Sequence, residues 1–185
     1  MVDIEFKIDT DNQIIIRCRD DVNNLSRFSE ASAYFVYKNQ VISNLANDVF
    51  IELISPLNNT LLKAIEEESG LFITDSYFSN VGYKWNQWTY DLPEEWEGEE
   101  DIFNEFWIWS TKVTGTWLYR NADRDIVIEI CPIYKWHFED PDNEIDYVSF
   151  EEFIKYYKAI LQKKLDIDLV KAWQNECQKY LKLIK

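Results

Sequence analysis

The chain has 185 residues, 46% hydrophobic and 16% aromatic, and a formal net charge of −15. Apolar content this high argues against a disordered chain, and the length suits a single domain, 1–185, with its own core. Four scattered glycines, Gly70, Gly82, Gly98 and Gly115, argue against a Gly-rich phosphate cradle, and the negative field disfavours direct contact with DNA or RNA.

In chain order, Val2 to Asp9 alternates apolar and polar residues, with Ile4, Phe6 and Ile8 on one face. Gln13 to Arg19 alternates less cleanly, and Asp9-Thr10-Asp11-Asn12 between them reads as a turn, which predicts an opening hairpin. Ala33 to Ile42 reads as a third strand. Leu45 to Glu68 reads as helix, in one or two pieces, with Pro56 tolerated in a first turn and Gly70 as the stop. Leu71 to Phe78 reads as a strand. Asn80 to Asn104 lacks a clear period and reads as a long loop or lid holding one short helix.

Phe106 to Trp109, Thr116 to Tyr119 and Asp125 to Phe138 read as three antiparallel strands, with turns at Val113-Thr114-Gly115 and Asn121 to Arg124. Ser149 with Glu152 three residues on is a capping-box pattern opening a helix, and Asp166 or Asp168 caps a second. No internal repeat is visible. The expected fold class is α+β: an antiparallel sheet of five to six strands with a central helix and two C-terminal helices on one face.

Charge is segregated along the chain. Between Trp85 and Thr111 lie Asp91, Glu94, Glu95, Glu97, Glu99, Glu100, Asp101 and Glu105, with no Lys or Arg among them. Between Phe138 and Ile154 lie Glu139, Asp140, Asp142, Glu144, Asp146, Glu151 and Glu152, again with no base. These fifteen carboxylates equal the whole net charge, because the rest of the chain is balanced. Acidic stretches are often plain solvated surface. The first one, however, interleaves its acids with Trp85, Trp88 and Trp96, which are the anchors that a binding surface requires. Trp85, Trp88, Glu94, Glu95, Trp96, Glu97, Glu99, Glu100 and Asp101 are therefore the candidate partner-binding residues. The lysine-rich stretch from Lys155 onward suits helix C-termini better than a membrane surface.

Candidate chemistry is sparse, and the sequence leans away from an enzyme. No cofactor is expected. Calcium is the alternative, because Asp140, Asp142, Glu144, Asp146 and Glu151 place oxygens at intervals resembling part of an EF-hand loop. Ile145 stands where that loop needs glycine, and a strand precedes it. His137 is the only histidine; with Trp107, Trp109, Trp117 and Trp136 it would line an alternative aromatic pocket for a small ligand or a hydrolase reaction. Cys18, Cys131 and Cys177 are widely spaced and sit among apolar residues, as reduced buried thiols do. Met1 to Lys7 lacks a signal-peptide pattern and no run is long enough to span a bilayer, so a cytoplasmic location without membrane contact is expected.

In size, charge and aromatic content the chain is similar in general character to small acidic bacterial immunity proteins, which neutralise basic toxin domains. That likeness covers no motif. It implies an acidic protein-binding domain, an immunity-type inhibitor of a basic toxin or nuclease, whose partner is a basic protein.

Overall fold

A computed structural model of the chain describes residues 1–66, 80–91, 106–137 and 146–184. The elements run β1 (Val2–Lys7), β2 (Asn12–Cys18), β3 (Glu30–Tyr37), β4 (Gln40–Val49), α1 (Phe50–Ile65), α2 (Val81–Asp91), β5 (Trp107–Ser110), β6 (Thr114–Arg120), β7 (Ile126–Pro132), a 3-10 turn (Lys135–His137), α3 (Phe150–Lys155), β8 (Leu161–Leu165) and α4 (Ile167–Leu183).

The class is α+β, as expected, but among the described residues eight strands form two four-stranded antiparallel sheets, β1-β2-β3-β4 and β5-β6-β7-β8. Each sheet is a meander in which neighbours in sequence are neighbours in space, and each is followed by a long helix, α1 or α4. A ββββα unit thus occurs twice, although the sequence shows no repeat. The helices cross over in their packing. Helix α4 lies against α1 and the first sheet, where Trp173 meets Phe6 edge-on at 5.5 Å and donates its indole N–H to Lys7 O at 3.2 Å. Helix α1 touches both sheets. Trp109 of β5 donates to Leu53 O at 3.0 Å, and Arg120 of β6 donates to Ala64 O at 2.7 and 3.2 Å, so its guanidinium serves the last turn of α1.

Four expectations about elements need correction. The strand read over Asp125 to Phe138 ends at Pro132, and Lys135–His137 form a 3-10 turn instead. The stretch read as one strand from Ala33 is a hairpin, because Lys38 and Asn39 both adopt positive φ (48° and 64°) and form a two-residue turn. Residues 45–49, read as the start of a helix, complete β4; register shifts in its pairing with β3 interrupt the alternation that marks a strand. The one short helix expected within the loop or lid over Asn80 to Asn104 is the eleven-residue α2 at its start. Leu161–Leu165 is an edge strand rather than the end of a helix. The strand expected over 71–78 lies outside the described residues.

Helices also cover both faces of the second sheet rather than one face. On the side of α1, Leu118 pairs with Ile128, and Ile126 and Ile130 share that face. On the outer side lie Gly115, Trp117 and Tyr119 of β6, opposite Cys131, Glu129 and Val127 of β7. Helix α2 packs on this outer face, which is why every residue of β6 is buried. Both expected helix caps are present: Ser149 Oγ accepts from Glu152 N at 3.2 Å, and Asp166 Oδ1 accepts from Asp168 N at 2.8 Å. Among the described residues, no helix is long and apolar enough to cross a membrane.

Candidate functional site: an aromatic surface at the ends of the acidic segments

The outer face of the second sheet combines a buried carboxylate, a short helix and a continuous array of rings. Glu129 is fully buried on β7. Its carboxylate accepts from Val81 N (3.1 Å) and Gly82 N (2.9 Å) at the start of α2, from the Tyr119 hydroxyl (2.7 Å), and from Gln162 Nε2 of β8 (3.3 Å). Burial pushes the Glu129 pKa up, and these donors pull it back toward the ionised form. A carboxylate at a helix N-terminus also meets the positive end of the helix dipole. Glu129 is thus the anchor that fixes α2 to the sheet.

Two glycines permit this packing. A Cβ on Gly82 would stand 2.1 Å from Cys131 Sγ, and a Cβ on Gly115 would stand 2.1 Å from the Trp117 ring. One turn further along α2, Asn86 is fully buried; its amide donates to Gly82 O and Pro132 O, and its carbonyl oxygen accepts from Tyr134 N at 2.7 Å. His137 Nε2 lies 3.3 Å from the same Asn86 oxygen, and burial lowers the His137 pKa to about 4.

Around these polar anchors the rings touch in sequence. Trp107 and Trp117 lie 4.9 Å apart, Trp85 meets Trp107 at 5.2 Å, and His137 meets Trp85 at 5.5 Å. His137 and Tyr134 are 5.2 Å apart, and Tyr134 contacts Phe150 of α3 at 5.2 Å. Tyr90, at the end of α2, stacks on Phe150 at 3.8 Å with the planes 7° from parallel. The array is buried at Trp117 and Trp85 and opens outward, with Tyr90 and Tyr147 each about half exposed. Trp136 contacts Tyr147 at 5.9 Å.

The candidate residues fall as follows. Trp85 is buried in the array and Trp88 is half-buried against the core, so Trp85 holds α2 in place rather than offering an exposed ring. Glu94, Glu95, Trp96, Glu97, Glu99, Glu100 and Asp101 lie outside the described residues. Of the alternative pocket, Trp107, Trp117 and His137 come together around Trp85. Trp109 lies on the opposite face against α1, and Trp136 sits at the outer edge of the array. Of the calcium candidates, Asp140, Asp142 and Glu144 lie outside the described residues, and Asp146 pairs with Lys135 at 3.6 Å. Among the described residues no cluster of His, Cys, Asp or Glu could hold a metal. A cleft of about 780 Å³ lies elsewhere, at the β1–β2 turn beside Asp9 and Lys38.

Sequence reasoning did not identify Glu129, Asn86, Tyr90, Tyr134 or Phe150 as part of one site. A carboxylate at an inward position of an otherwise apolar strand, Ile126 to Cys131, was the available sign for Glu129.

The more informative feature is where the acidic segments begin and end. One leaves α2 at Asp91, beside Tyr90, and returns at Phe106 and Trp107. The other leaves the 3-10 turn at His137 and returns at Asp146 and Tyr147. Tyr90 and His137 are 6.4 Å apart, Trp107 and His137 both contact Trp85, and Tyr147 contacts Trp136. Two stretches far apart in sequence are therefore tethered, at all four ends, to one aromatic surface. Comparison with known protein families, curated proteins and solved structures finds no match for this chain.

Proposed function

We propose that this chain is a protein-binding domain whose partner is a basic protein, and that it engages the partner on the half-exposed aromatic surface formed by the end of α2, the 3-10 turn and the start of α3. The observation that supports this reading is the convergence of the four ends of both acidic segments on that surface. Carboxylates tethered there create a local negative potential, which steers a basic partner and rejects an acidic one. The rings supply desolvated contact area, which charge alone does not. Covering a basic active site in this way would make the domain an inhibitor of a toxin or nuclease.

The test is affinity capture from the source cell at low salt with the parent chain and with Tyr90→Ala. A basic protein recovered by the parent, released at high salt and depleted with Tyr90→Ala supports the reading. Equal recovery by both chains rules out this surface.

A further inference from the structure

We infer that the face of Trp136, with the carboxylate of Asp146, is a cation subsite that the chain fills with its own Lys135 and that an arginine of the partner takes over on binding. The inference rests on the proposed binding reading and specifies its chemistry.

The geometry is that of an occupied cation site. Lys135 Nζ lies 4.1 Å from the centroid of the Trp136 ring and 3.6 Å from Asp146 Oδ2. An ammonium over an indole face is held by the ring quadrupole, and a carboxylate beside it adds direct attraction. The subsite is built at the surface: the Asp146 side chain is 71% exposed and that of Lys135 is 30% exposed. The Asp146 carboxylate therefore faces solvent, where an incoming guanidinium can reach it. The subsite also flanks one acidic segment at both of its ends, since Trp136 and His137 precede residues 138–145 and Asp146 follows them.

Arginine is the better occupant. Its guanidinium is planar, less strongly hydrated than an ammonium, stacks on an indole and can engage a carboxylate through two N–H groups. Lys135, the residue before Trp136 in the chain, can offer only an ammonium. The intramolecular lysine then acts as a competitor: it keeps the ring covered in the free chain and lowers affinity for any partner unable to outbid it.

The experiment uses the full chain and two nine-residue peptides, one alternating Arg and Gly and the other alternating Lys and Gly, titrated by calorimetry. The variants are Lys135→Gln, Trp136→Leu, and Lys171→Gln as a control for the same charge change on exposed α4. The expected result is that the Arg peptide binds the parent more tightly than the Lys peptide. Lys135→Gln should tighten Arg-peptide binding by roughly 3-fold beyond Lys171→Gln, and Trp136→Leu should remove that gain. If the Arg peptide binds but Lys135→Gln and Lys171→Gln behave alike, the competitor role is overturned while the binding surface stands. If neither peptide binds the parent, the binding reading falls and the subsite with it.

Discussion

At the residue scale, Glu129 carries the outer face of the second sheet. A buried carboxylate is stable only when its lone pairs are met, and here four donors from three elements meet them. Glu129→Ala would leave two helix N–H groups and a tyrosine hydroxyl without that acceptor. The expected loss is about 3–5 kcal/mol of unfolding free energy by denaturant titration. Glu129→Gln keeps one acceptor oxygen and should lose less. Gly82→Ala should cost about 2 kcal/mol because its Cβ would meet Cys131 Sγ. The cost should fall in a Cys131→Ala background; equal costs in both backgrounds would place the strain elsewhere.

His137 makes stability depend on pH. Its folded pKa, about 4, lies below the 6.5 of an ordinary histidine, so below pH 6.5 the unfolded chain binds the proton that the folded chain resists. The contribution of neutral His137 is complete above pH 6.5 and is lost as pH falls from 6.5 toward 4. Partial burial limits the effect to about 2 kcal/mol. Glu129, with its raised pKa, acts with the opposite sign above pH 4.5. The His137 share is therefore read as the pH-dependent part of the difference between the parent and His137→Asn across pH 4 to 7, and that difference should level off above pH 7. A difference independent of pH would mean that His137 does not titrate in that window.

At the scale of elements, the end of α1 depends on Arg120, whose guanidinium donates to Ala64 O and Arg124 O. Arg120→Met keeps most of the apolar stem but removes these donors, and should cost about 2 kcal/mol. The chain shows which elements a sequence exposes and which it hides. The first hairpin was legible because Ile4, Phe6 and Ile8 alternate with polar residues and Asp9-Thr10-Asp11-Asn12 marks the turn into β2. The caps at Ser149 and Asp166 were legible because they rest on side chains close to the N–H groups they serve. Strand β4 was not, since register shifts break its alternation and no glycine announces the turn at Lys38 and Asn39. Helix α2 was legible only as a short helix without bounds, because it buries Gly82, Asn86 and Thr89, which blur the apolar stripe that marks an amphipathic helix. Strand β8 was hidden by three exposed polar residues, Gln162 to Lys164, at its centre. The site was half legible: the sequence contains both acidic segments, but their convergence depends on the Glu129 anchor and on ring contacts between α2, the 3-10 turn and α3.

At the scale of the whole molecule, two ββββα units pack through α1, which touches both sheets, and α4, which lies on the first unit, and the additions to the second unit form the candidate surface. Helix α2 precedes its first strand, and the 3-10 turn and α3 interrupt the link between β7 and β8. The first unit links β3 to β4 with two residues. Elements added to a repeated scaffold, at the place where the net charge concentrates, are where a binding role would reside. The most direct measurement is backbone and indole N–H chemical-shift mapping during titration with the Arg-Gly peptide at low salt. Binding at the proposed surface predicts shifts concentrated at Tyr90, Trp136, Tyr147 and Phe150, with Trp109 and Trp173 on the other side of the molecule unmoved and the shifts lost at high salt. Shifts centred on the β1–β2 cleft, or spread evenly over exposed carboxylates, would contradict it.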